Sequence, residues 1–403
     1  MNVDRRTFLR GAACAPLALS LGRGGAWLPG GDERCLLVLE LVGGNDGLNT
    51  VIPVDDADYA RLRPKLGAVR RGARALGDGT SLHPSLARLH GHIAAGRGAV
   101  VHGVGYAPPD RSHFRSRDIW HVGPCAPAGR RHDHGLARRA AEQLRGRGRR
   151  RGQRNLPAAA IGGLEVPLLL HSRRVPVPSL VRVEDFQWLS PGARGPTADA
   201  PSRHVVGAGG AGELLAAVRA AQTAGVELAD GLTAALQRYT PKADYPDDDL
   251  GRHLQLIARL LVAGVGTRLL HTSFGGFDTH ARQLPTHAGL LRQLDAGLGA
   301  LLDDLAGHGC LDRVGVLVHS EFGRRAAENA SQGSDHGAAG PVFVFGGGVR
   351  AGTFGQKPDL SRLVDGDVPP TCDFRRVYAE LLGRLGVPVE PVLGEGFEPI
   401  GLW

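Results

Sequence analysis

Asp, Glu and His crowd three short segments of the C-terminal half: Phe277-Asp278-Thr279-His280, Ser320-Glu321-Phe322-Gly323 and Ser334-Asp335-His336-Gly337. A fourth segment, Gly43-Gly44-Asn45-Asp46-Gly47, lies near the N-terminus. Carboxylate oxygens are hard donors and imidazole nitrogens borderline ones, the set that zinc, manganese and related divalent ions accept. Asp278 and His280 are two apart, so in an extended stretch both face one side and reach one ion. Asp335 and His336 are adjacent and reach the same point only if the turn around Gly333 and Gly337 is irregular. Taken singly, each pair reads equally well as a loop or helix-cap pair. Converging, the four segments form a divalent metal site (zinc, manganese, calcium or magnesium) with candidate ligands Asp46, Asp278, His280, Glu321, Asp335 and His336.

A nucleophile candidate stands in Pro109-Asp110-Arg111-Ser112-His113-Phe114. A Ser hydroxyl is a poor nucleophile at its own pKa, and a metal ion lowers that pKa. Arg111 or Arg115 is suited to hold an anionic ester through two parallel hydrogen bonds. Ser112 equally caps a helix beginning near His113. The two roles coexist, because a helix N-terminus also favours anions.

These groups need a scaffold that brings distant segments together. Cys35–Val42 is a continuous apolar run ending in a Gly-rich turn, the pattern of a strand buried on both faces of a parallel sheet. Further strands are expected at Gly98–Val104, Ala158–Leu170 (one or two, with Gly breaks), Thr267–Phe274, Val314–His319 and Pro341–Phe345. Helical spacing marks His83–Ala95, Gly212–Leu236, His253–Val262, His287–Leu305 and Arg375–Leu385. The alternation predicts a three-layer α/β/α fold with a large, mostly parallel mixed sheet. In such sheets functional groups gather beyond the carboxyl ends of strands. Asp46, Asp278 and Glu321 all follow an expected strand, and this is the reason for expecting them to meet.

The 403 residues are 42% hydrophobic and contain no apolar run near the ~18 residues of a membrane span, so no integral membrane segment is expected. Residues 190–211 read as a linker-like stretch. The formal charge of +8 is concentrated in a basic run over 129–154. No aromatic side chains interleave that run to stack on bases, so it reads as a solvated insertion near 125–155 rather than a nucleic-acid site. Polar binding of acidic polymers is its alternative role. The N-terminal Arg5-Arg6-Thr7-Phe8-Leu9-Arg10 and the weakly apolar stretch after it resemble a twin-arginine export signal, which would occupy residues 1–30. The twin-arginine translocase is then a partner, and the chain works in the periplasm or another extracytoplasmic space. Cys14 falls inside the signal. Cys35, Cys125, Cys310 and Cys372 form no C-x-x-C pair and would make up to two disulfides in an oxidising compartment.

The runs LVLELVGGNDGLNTVIP, RSHFRSRDIWHVG, GGFDTH, HSEFGRRAAEN, GSDHGAAGPVFVFGGGV and TCDFRRVYAELL resemble the twin-arginine-exported bacterial family known as domain of unknown function 1501. That family is similar in fold to the alkaline phosphatase and sulfatase superfamily. The resemblance covers roughly residues 34–120 and 250–395. It implies a single alkaline-phosphatase-like domain over 31–403, with metal at the carboxyl end of the sheet. It matches Asp46 to the first ligand Asp, Ser112 to the nucleophile, Asp278 and His280 to later ligands, and His336 to the last His. Glu321-Phe322 falls where the superfamily has an Asp-His ligand pair. Phe cannot bind metal, so one of two metal positions is expected to be weak or vacant. Ser112 is not Cys, so formylglycine chemistry is not implied. The implied activity is hydrolysis of phosphate or sulfate esters, on a small anionic ester or a polysaccharide. The alternative is an exported binding protein that keeps the fold without the chemistry.

Overall fold

The computed structural model describes residues 33–123, 158–163, 165–171, 177–181, 239–264 and 266–403, with Gly135, Leu136, Arg139, Ala140, Gln143 and Gln237 besides. The expected signal over 1–30, nearly all of the basic run over 129–154, the 190–211 linker, the Gly212–Leu236 helix, Cys14 and Cys125 lie outside those residues.

Among the described residues the main sheet has nine strands. They are β1 (Cys35–Leu41), β2 (Gly98–Gly105), β3 (Ala158–Ile161), β4 (Ser179–Leu180), β5 (Leu269–Phe274), β6 (Val314–Ser320), β7 (Gly340–Gly346), β8 (Gly352–Phe354) and β9 (Cys372–Asp373). Their order is β8-β2-β7-β6-β1-β5-β3-β4, with β9 paired to β2. Every pairing is parallel except those of β7, which runs antiparallel to both β2 and β6. Central β1 is buried along its whole length, as its run of apolar residues, interrupted only by Glu40, requires.

Period-two alternation divides the core between the two faces of the sheet. Leu37, Leu39 and Leu41 of β1 pack under α1 (Ala87–Ala94), α3 (Asp249–Ala263) and α4 (Gln283–Gly307). Leu36 and Val38 pack under α2 (His113–Val122) and α5 (Phe374–Leu385). The layers are thus helices, sheet, helices. The helix ends follow local chemistry: Asp248 and Asp373 accept backbone N–H groups at the starts of α3 and α5, and Gly264 and Gly386 close them in the left-handed region.

Three expectations change. The Ala158–Leu170 stretch is a strand only over Ala158–Ile161, because Gly162 at φ +88° turns the chain, and Leu168–Leu170 forms a tight turn of helix instead. The helix expected from His83 begins at Ala87; Ser81–Leu82 before it pairs with Val51–Ile52 and Arg74–Ala75 in a small three-stranded sheet. Cys35, Cys310 and Cys372 are buried free thiols, so none of the three enters the disulfides allowed for them.

Candidate metal centre

Parallel strands deliver the residues that follow them to one edge of the sheet. Phe277 to His280 follow β5, Glu321 follows β6, and Ser112 and His113 follow β2 and open α2. Asp335 and His336 precede a strand, yet reach the same edge because β7 is antiparallel and starts where its neighbours end. Gly43, at φ +118°, passes so close to the Phe277–Asp278 backbone that a Cβ there would lie 2.5 Å from the Asp278 nitrogen. The β1 turn therefore seats the Asp278 segment directly.

Three imidazoles meet the Asp278 carboxylate. Oδ1 of Asp278 is 3.0 Å from Nε2 of His336 and 3.0 Å from Nε2 of His280, and Oδ2 is 3.6 Å from Nε2 of His113. The His280 and His336 Nε2 atoms are themselves 3.0 Å apart. Each ring has an acceptor behind it: His113 Nδ1 faces Glu321 Oε1 at 2.7 Å, His280 Nδ1 faces Asp335 Oδ1 at 3.1 Å, and His336 Nδ1 faces the Arg111 carbonyl at 3.0 Å. A neutral imidazole that donates from Nδ1 presents a lone pair at Nε2. The three backing acceptors thus aim three lone pairs at one carboxylate. Donor atoms of His113, Asp278 and His336 lie within 4.8 Å of one another, a spacing that one ion can span. Three nitrogens and a carboxylate oxygen suit zinc or a neighbouring transition metal, and a carboxylate behind a ligating imidazole is the usual second support.

The electrostatics are set by Arg324, which is buried and fully engaged. Its Nη2 donates to Asp278 Oδ1 at 2.6 Å and to the Gly43 and Phe277 carbonyls, its Nε to the Gly44 carbonyl, and its Nη1 to the Ser334 carbonyl. Partial burial pushes the Asp278 carboxyl up. The hydrogen bond and the positive charge of Arg324 outweigh it and hold the pKa at about 2. Hydrogen bonds from Asn329 and His280 likewise lower the Asp335 carboxyl. Phe322 lies against the rings of His113 and His336, at 4.9 Å from each, and walls one side of the centre.

The structure sorts the sequence-derived residues by place. Asp278, His280 and His336 come together. Glu321 and Asp335 stand behind His113 and His280 rather than beside Asp278. Asp46 is in neither group of donors. It caps the Gly47–Thr50 turn, is fully buried, and is held by Arg63 at 2.7 Å, with Gln283 and Ser334 also donating to it. Burial raises its carboxyl, and the Arg63 and His287 charges more than reverse that, to about 2. The Arg111 guanidinium is turned to Asp367, so Arg111 meets the centre through its carbonyl alone. Ser112 is exposed at the N-cap of α2; its Oγ accepts the Arg115 N–H at 3.5 Å and its own N–H donates to Asp110 Oδ1. His113 was missed, although it follows the candidate nucleophile directly. A lone imidazole in the first turn of a helix carries no spacing signal of its own.

The profile of a family described as a protein of unknown function, DUF1501, matches residues 174–392, more than half of the chain. The chain belongs to this family. No curated protein matches the DUF1501 chain. Among solved structures it is similar to a protein in the alkaline phosphatase superfamily from Vibrio parahaemolyticus, at 11% identity and a TM-score of 0.41, over 90% of this chain and 69% of that one. It is similar to the zinc complex of the C-terminal periplasmic domain of EcEptC from Escherichia coli at 9% identity and a TM-score of 0.42, over 88% and 83% of the two chains. The lipoteichoic acid synthase LtaP from Listeria monocytogenes matches at 10% identity and a TM-score of 0.40, over 92% and 74%. At such scores the likenesses assign no role to any residue of the DUF1501 chain.

Proposed function

We propose that this chain is an exported metal-dependent hydrolase of phosphate or sulfate esters whose ion is held by His113, Asp278, His280 and His336. The observation that carries the reading is the convergence of three Nε2 atoms on the Asp278 carboxylate, each ring having a separate acceptor behind it at Nδ1. When bound, a divalent ion supplies charge neutralisation for an ester oxyanion and lowers the pKa of a neighbouring hydroxyl. The protein's own groups supply the rest. Glu321, Asp335 and the Arg111 carbonyl orient the imidazoles. Arg324 keeps Asp278 ionised at any pH in the ordinary range. Phe322 excludes water from one flank. Ser112 is the nucleophile on this reading, and the N-terminus of α2 and the exposed Arg115 receive the anionic ester. The Arg5-Arg6 segment supports delivery by the twin-arginine translocase to the periplasm.

The test is purified full-length protein stripped with a chelator, reloaded with Zn²⁺ or Mn²⁺, and assayed on aryl phosphate, phosphodiester and aryl sulfate esters. The expected result is ion-dependent turnover that Asp278→Asn and Ser112→Ala each abolish. Ion-loaded protein with no turnover across the panel supports instead a binding protein that keeps the fold, and protein that takes up no ion at all refutes both the centre and the activity.

A further inference from the structure

The opposite end of α2 closes over a second cluster that the proposed centre does not use. Strand register places Glu40 of β1 beside His319 of β6 and two residues along from the His271 position of β5. All three lie on the sheet face that carries Leu36 and Val38, which α2 covers. From α2, Arg117 and His121, four residues apart on one helix face, reach down to Glu40. Glu40 is wholly buried. Its Oε1 accepts from Arg117 Nε at 2.8 Å and its Oε2 from Arg117 Nη2 at 3.0 Å. The same Oε2 is 3.3 Å from His121 Nε2 and 3.4 Å from His271 Nε2.

We propose that Glu40, His121 and His271 form a second divalent-cation site, separate from the Asp278 centre and open to solvent on one side. Three observations carry it. First, His271 is about 95% buried, and its Nε2 points at the cluster without a hydrogen bond of proper geometry. A buried polar atom left unsatisfied calls for an unseen partner. Second, tetrahedral bonds of about 2.0–2.1 Å place neighbouring ligand atoms about 3.3 Å apart, which is the separation of Oε2 from each of the two Nε2 atoms. Third, a cavity of about 390 Å³ is lined by Arg117, His121 and His271, and water there completes the coordination beyond three protein donors. Arg117 contacts both carboxylate oxygens, and its charge competes with the ion for Glu40. The positive charge of Arg117 plus a dication is offset by Glu40 and by Asp118 and Glu165, which line the same cavity. His113 and His121 are eight residues apart on α2, a rise of roughly 12 Å, so no donor is shared between the two sites.

The site does not depend on the hydrolase reading, and the two fail separately. Chelator-stripped full-length protein is titrated with Co²⁺, following its visible absorbance and the bound metal by elemental analysis. Wild type is expected to take two ions, Asp278→Asn/His336→Gln one, and His121→Gln/His271→Gln one. An Asp278→Asn/His336→Gln protein that unfolds cooperatively in urea yet takes no ion overturns the second site. A His121→Gln/His271→Gln protein that takes none overturns the first centre instead. Should the buried double variant not fold, Arg117→Gln decides. Removing the competing cation from Glu40 is expected to lower the Co²⁺ Kd several-fold, and an unchanged Kd shows that the cluster is an ion pair only.

Discussion

At the scale of single residues, the proposed centre separates groups that would hold an ion from groups that would hold the holders. Glu321 touches His113 and not Asp278. Glu321→Gln keeps an acceptor for the ring but loses its charge, and weakening of metal affinity by about 10–100-fold is expected, the usual effect of altering such a support. A competition titration against a chromophoric chelator reads it; an unchanged affinity removes Glu321 from the centre. Asp46 behaves differently. Asp46→Asn leaves Arg63 buried and without its charge partner, which costs about 3–5 kcal/mol. Urea denaturation checks that loss, while the number of ions bound by the folded variant is expected to stay at the wild-type value. Asp278 and His336 were legible because Asp and His at the borders of apolar runs announce themselves. Asp46 looked the same in sequence, but Arg63 lies 17 residues on, and no periodicity marks it as a buried partner. Glu40 was hidden the other way: a lone carboxylate in an apolar strand reads as part of the strand until His319 of one neighbouring strand pairs with it and His271 of the other falls two residues along on the same face.

At the scale of elements, the strands and helices around the site were legible to within a few residues, since β1, β5, β6 and β7 are short apolar runs and α4 carries leucines along one broad face. What spacing could not show was direction. Only the antiparallel sense of β7 explains how a segment before a strand joins segments after strands. The turn after β1 is the most exacting piece. Gly44 has φ +66°, and a Cβ there would lie 2.3 Å from the Phe322 ring. Gly44→Ala is therefore strained in its backbone and displaces Phe322 from His113 and His336. A loss of more than about 1 kcal/mol in urea unfolding is expected, with weaker Co²⁺ binding at the Asp278 centre. Full stability with full binding shows that the turn tolerates a side chain.

At the scale of the whole molecule, buried neutral histidines set the response to acid. Burial lowers His287 to about 4, with Asp46 pulling the other way and His83 adding to the decrease. Its Nε2 contacts the Asn45 side chain at 2.9 Å. In the unfolded chain the same ring titrates near 6.5. Because the unfolded state takes up the proton first, stability is full above about pH 6.5 and falls as the pH drops from there towards 4. His287 alone then contributes a loss on the order of 2 kcal/mol between pH 7 and pH 5. Urea midpoints at the two pH values measure it, and His287→Gln is expected to flatten the difference. An equal slope in the variant assigns the acid response elsewhere.

The sealed, unpaired sulfurs of Cys35, Cys310 and Cys372 bear on where this chain is able to mature. None of the three ties one strand or helix to another, so among the described residues the layered core is held by packing without a disulfide. Protein refolded under a strong reductant is expected to melt at the same temperature as protein refolded in air. For the part of the fold that these three cysteines belong to, closure would not wait on an oxidising compartment.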